Sequence, residues 1–132
     1  MAKNLDDKAL LIKKGLQALC EFQADLDDAT WQIQSTLLAK FRHISLHLSV
    51  VNGSIAGLCE KWEHAILKNE ETANNLMHLD MELLGDVVAD LIIHAAQLSN
   101  IMGGDLFSIL SHRVARNVKR FAPDSNLNLD VD

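Results

Sequence analysis

Apolar residues recur along this chain at steps of three and four, and no stretch alternates long enough to predict a strand. Leu5, Ala9, Ile12, Leu16 and Leu19 form the first stripe and predict a helix from about Asp6 to Ala24. The acidic run Asp25-Leu-Asp-Asp28 then reads as a break followed by a helix cap. A longer stripe, Ile44, Leu48, Val51, Ile55, Leu58 and Trp62, predicts a second helix from about Thr30 to Leu67. Asn52-Gly53 falls inside it. Because the stripe keeps its register there, a weak or bent middle is expected rather than a hairpin turn.

Lys68-Asn69-Glu70-Glu71 marks the next loop, and a third helix is expected from about Thr72 to Met102. Gly103-Gly104 closes it with residues that tolerate the left-handed backbone of a C-cap. Asp105 caps a fourth helix, LFSILSHRVARNVKRF, which stops before Pro123. The pattern therefore predicts an all-α four-helix domain over residues 1–121, with 122–132 a polar, flexible tail. The second and third helices carry apolar residues on more than one side: Leu46 and Val50 on one, Ile92 and Ile93 on the other. Burial against a second copy accounts for this most simply, so a dimer or dimer of dimers is expected.

Composition narrows the function. The 132 residues are 48% hydrophobic and 23% charged, with one proline, which describes a folded domain rather than a disordered chain. A net charge of -6 excludes a general nucleic-acid binder, although a local cluster of cations could still hold a phosphate. Cys20 and Cys59 stand far apart with no CxxC spacing, so neither a disulfide framework nor a cysteine metal site is expected. The opening MAKNLDDKALLIKK is too charged for a secretory signal, and no apolar run reaches about 18 residues. The expectation is a soluble cytoplasmic protein without a membrane partner.

The stretch GDVVADLIIHAAQLS raises the chemical question. Asp86, Asp90 and His94 follow one another at steps of four and share one face of an otherwise apolar helix. Taking a carboxylate out of water costs several kcal/mol, so such residues need partners. From Val87 to Phe121 the chain is similar to the C-terminal half of the MazG-like, all-α nucleotide pyrophosphohydrolases. In VVADLIIHAAQLSNIMGGDL, Asp90 and Asp105 match that family's E-x-x-D aspartate and its Leu-Gly-x-Asp-Leu turn. Arg113, Asn117 and Arg120 match its final basic helix. The resemblance implies a MazG-like four-helix fold, phosphate or nucleotide contact through those three residues, and Mg²⁺ or Mn²⁺ held by carboxylates.

The matched ligand positions depart from the pattern. Val50 and Val51 stand where the family has paired glutamates, Ser54 where a third belongs, and Val87 where E-x-x-D begins. Valine offers no ligand, and one aspartate holds hydrated Mg²⁺ only weakly. The resemblance thus implies a divergent member without the usual NTP pyrophosphohydrolase activity, a nucleotide-binding or assembly module that needs no metal if fully degenerate. A shifted register offers an alternative. Glu60, Glu63, Glu82 and Asp86 would then be the metal ligands of an active enzyme cutting NTP to NMP and pyrophosphate.

Histidines suggest a third reading. His43/His47, Glu60/His64 and Asp90/His94 are i,i+4 pairs, a spacing that lets two side chains share one transition-metal ion. The plainer reading is boundary histidines and surface pairs, with Asp90–His94 as a register-fixing contact. For Arg113, Asn117 and Arg120 the plainer reading is a solvated face, where cations suit a helix C-terminus.

Overall fold

A computed structural model describes residues 2–30, 36–127 and 129. They form five helices: α1 (Ala2–Thr30), α2 (Leu37–Ile66), α3 (Glu70–Leu79), α4 (Met81–Met102) and α5 (Leu106–Phe121). Among the described residues there is no strand, so the all-α expectation holds. The chain divides into two compact units, residues 33–95 in one and residues 1–32 with 96–132 in the other. Among the described residues no helix is long and apolar enough to cross a membrane.

Residues 36–95 build a helical hairpin. Thr36 starts α2, its hydroxyl accepting from the Ala39 amide at 3.2 Å. Ile44, Val51, Leu58 and Ala65 are the buried positions of α2, each seven residues after the last. On the return, Ala73, Asp80, Val87 and His94 are buried at the same interval. A seven-residue period keeps one seam of each helix turned toward its neighbour over a long contact. His47 meets His94, while Lys61 and Trp62 meet Asp80. Ascending positions on α2 thus meet descending positions on the return. The pairing is antiparallel.

The expected third helix is interrupted once, at Asp80, and becomes α3 and α4. Asn69 caps α3 by accepting from the Glu71 amide at 2.7 Å. At Asp80 the backbone leaves helical geometry (φ -88, ψ 2). Its amide still donates to Leu76 O and its carbonyl still accepts from the Leu84 amide, both at 3.0 Å. The break is local. It turns the carboxylate inward to donors on α2, a partner that sequence spacing alone does not reveal. The weak middle expected at Asn52-Gly53 is absent: α2 runs through it unbroken, and a Cβ at Gly53 would meet nothing within 4 Å.

In the other unit, α1 continues through Asp25–Asp28 to Thr30, where a break was expected. The acidic side chains bond sideways instead of capping. Asp27 Oδ1 accepts from Gln23 Nε2 at 2.8 Å and from Gln97 Nε2 at 2.9 Å. Trp31 lies outside the described residues. Asn100 Nδ2 donates to the Cys20 carbonyl at 2.9 Å, tying the end of α4 to α1. Gly103 has φ +63, and its amide donates to Asn100 O while Gly104's donates to Ser99 O. Those two bonds satisfy carbonyls that the helix end would otherwise leave bare. Asp105 then caps α5, accepting from the Phe107 amide at 3.0 Å. After α5, the Ser125 amide donates to Ala122 O at 2.9 Å, and Pro123, Ser125 and Leu127 line a shallow groove against Ala115 and Val118.

Candidate functional site

Along the hairpin, α2 and α4 enclose a groove of about 460 Å³. Val50, Ser54, Gly57 and Lys61 recur on α2 at steps of three and four, so they form one wall. Leu83, Asp86 and Asp90 form the facing wall on α4. Buried Val51, Leu58 and Val87 floor it. Val50, Val51, Ser54, Val87 and Asp90, which the sequence resemblance set where metal ligands would belong, all line this groove.

Its chemistry is sparse. The Ser54 hydroxyl donates back to its own helix at Val50 O, 3.1 Å away. Lys61 Nζ donates to Asp80 Oδ1 at 2.8 Å, and Trp62 Nε1 donates to Asp80 Oδ2 at 3.0 Å. These bonds, Lys61's first, hold the Asp80 carboxyl below its ordinary pKa. The groove's ammonium is thereby occupied by a carboxylate. Asp86 and Asp90 remain on the lining, both solvent-exposed.

The other candidates lie elsewhere. Glu60, Glu63 and Glu82 are exposed and do not line the groove. On α2 the wall falls at Lys61, so Glu60 and Glu63, about 100° and 200° around the helix, turn away from it. Of the shifted set only Asp86 reaches the groove. Arg113, Asn117 and Arg120 are exposed on α5, in the other unit, where the Arg120 guanidinium sits 4.9 Å from the Phe121 ring centre. Burial pushes the Cys20 thiol pKa up, away from thiolate chemistry.

Two arrangements join residues that no single linear motif brings together. One is Asp80 with Lys61 and Trp62, whose trace in the sequence is the seven-residue interval linking Asp80 to Ala73, Val87 and His94. The other is a histidine cluster. His43 and His47 have ring centres 4.3 Å apart, and His47 and His94 5.5 Å apart. One i,i+4 pair and half of another have merged across the hairpin, while His64 stays exposed. As the side chains stand, no group of three or more His, Cys, Asp or Glu among the described residues is set to hold a metal ion. Comparison with protein-family models, curated proteins and solved structures gives no match to this chain.

Proposed function

We propose that this chain is a divergent MazG-like helical protein that does not hydrolyse NTPs by the Mg²⁺ route. Its α2/α4 hairpin acts instead as an assembly module joining two copies. The observation that carries the reading is the groove wall itself: Val50, Val51, Ser54 and Val87 occupy the positions matched to carboxylate ligands. Two carboxylates on one wall hold a hydrated Mg²⁺ weakly, and an ammonium committed to Asp80 does not cradle a polyphosphate.

The apolar excess supports assembly. Val50 is 70% exposed, Leu46 58% and Leu83 56%. With 30 residues in α2 and 22 in α4, the helices are about 45 and 33 Å long and about 10 Å across, so side by side they offer a face on the order of 800 Å². A stable interface covers about 800 Å² on each partner. Each covered aliphatic side chain contributes about 1 kcal/mol at the exposures seen here. The occupant is a second copy of the same face.

Two measurements test the reading. Sedimentation of the purified chain should give twice the 14.6 kDa protomer mass, falling to the protomer in Val50→Asp. A monomer at tens of micromolar eliminates the assembly role. Incubation with a panel of NTPs plus Mg²⁺ or Mn²⁺ should release no pyrophosphate; turnover abolished by Asp90→Ala would overturn the non-hydrolytic part.

A further inference from the structure

We infer that the outward face of α5 is a docking surface for a membrane rich in anionic lipid headgroups. Phe107 and Ser111 are the buried positions of α5, and Val114 and Val118 are half-buried on the same side. Arg113, Arg116 and Arg120 stand two residues after Ser111, Val114 and Val118, about 200° around the helix from each. The three guanidiniums therefore share the face turned to solvent, with exposed Lys119 at its edge.

Positive charge is concentrated there. Residues 113–120 hold four Lys or Arg and no acid, although the chain as a whole carries a net charge of -6. Of the flanking acids, Asp105 is taken up by the α5 cap and Asp124 lies beyond the helix end. Among the described residues none of the four cations is in an ion pair. Arg116 lies three or four residues from Arg113, Lys119 and Arg120, spacings at which like charges repel. The helix dipole accounts for Lys119 and Arg120 in the last turn, whereas Arg113 and Arg116 precede it. An anionic surface relieves what the fold leaves unpaired.

The apolar residues on the same stripe decide which anionic surface fits. Ile109, one turn before Arg113, is 42% exposed, and Phe121, beside Arg120, is 72% exposed. A phosphodiester chain would satisfy the guanidiniums and leave Ile109 against charge or water. One face of the Phe121 ring already carries the Arg120 guanidinium, 4.9 Å from its centre. A bilayer surface takes both kinds of group. Its phosphates accept paired N–H donors from Arg, and the boundary beneath the headgroups accepts aliphatic and aromatic tips.

The contact is peripheral. The apolar side of α5 packs on α1, so the helix rests on the headgroups and does not sink beneath them. Distant carboxylates do not cancel the attraction, because exposed charges are screened beyond about 8 Å at physiological ionic strength. Each Lys or Arg held near an anionic leaflet strengthens partitioning about fivefold. The surface belongs to the unit built on α1 and α5, so it stands whether or not two copies join along α2 and α4.

Co-sedimentation of the full chain with lipid vesicles tests this. Binding is expected to phosphatidylcholine vesicles containing phosphatidylserine, not to phosphatidylcholine alone, and should weaken as salt is added. The double variant Arg113→Gln/Arg116→Gln should lower partitioning by about 25-fold. Both arginines are exposed, so it should melt at or above the parent's temperature. Glu71→Gln, in the other unit, should bind as the parent does. Equal binding to both kinds of vesicle, binding to neither, or a double variant that binds like the parent overturns the surface. So does preference for a single-stranded nucleic acid or an acidic polypeptide over the phosphatidylserine vesicles. The protomer mass measured without lipid reports separately on assembly.

Discussion

At the residue scale, Asp80 shows how a charge can sit inside this hairpin. Its two oxygens take one donor each, from Lys61 and Trp62, so the carboxylate is lodged at 4% exposure with partners in place. Because its pKa is lowered in the folded state, its stabilising effect is complete above the ordinary carboxylate value of 3.8. That effect is lost as pH falls through the lower folded value. Melting temperature should therefore drop below about pH 4, and Asp80→Asn should be less stable at pH 7 with a shallower acid limb; parallel pH profiles for the two proteins count against the network. Among the described residues Ile44, with no exposed surface, is the largest fully buried side chain. Ile44→Ala should cost about 2–5 kcal/mol by urea unfolding. Asp80's role rests on donors from another helix. Ile44 was legible as a stripe position, whereas Asp80 looked like one more acid in NNLMHLDMELL.

At the element scale, stripes located helices well and their ends unevenly. Gly103-Gly104 and Asp105 behave as their chemistry demands, since a positive φ and a capping carboxylate are local requirements. Gly103→Ala should cost about 1–2 kcal/mol, read from thermal unfolding, because φ +63 is strained for any residue with a Cβ. Gly53 is the contrast: helical, with open space around it. Gly53→Ala should raise stability by about 0.5–1 kcal/mol, and a loss would show that α2 needs a glycine there. Two of the misplaced breaks, at Asp25–Asp28 and at Asp80, share one cause. An aspartate can cap a helix or bond across to another element, and Asp27 bonds Gln97 seventy residues away. No window of local sequence contains that choice.

At the scale of the whole molecule, the proposal that a second copy covers the exposed aliphatic face of α2 and α4 ties stability to concentration. If two copies cover it, the melting temperature should rise with protein concentration by mass action, and Val50→Asp should remove that dependence. Association should also tighten with added salt, which screens the self-repulsion of a chain carrying a net charge of -6. Melting that is flat over a hundredfold dilution counts against a second copy on this face. By itself the sequence determined the all-α class, the main stripe of α2 and the glycine-aspartate junction before α5, because helix periodicity and cap geometry depend on residues within a few positions of one another. Only the tertiary structure decided that Asp80 turns inward, that valines and two aspartates share one groove, and that three histidines from two helices lie side by side. Those outcomes depend on the register of the antiparallel hairpin, and register is a property of two helices in contact rather than of either one alone.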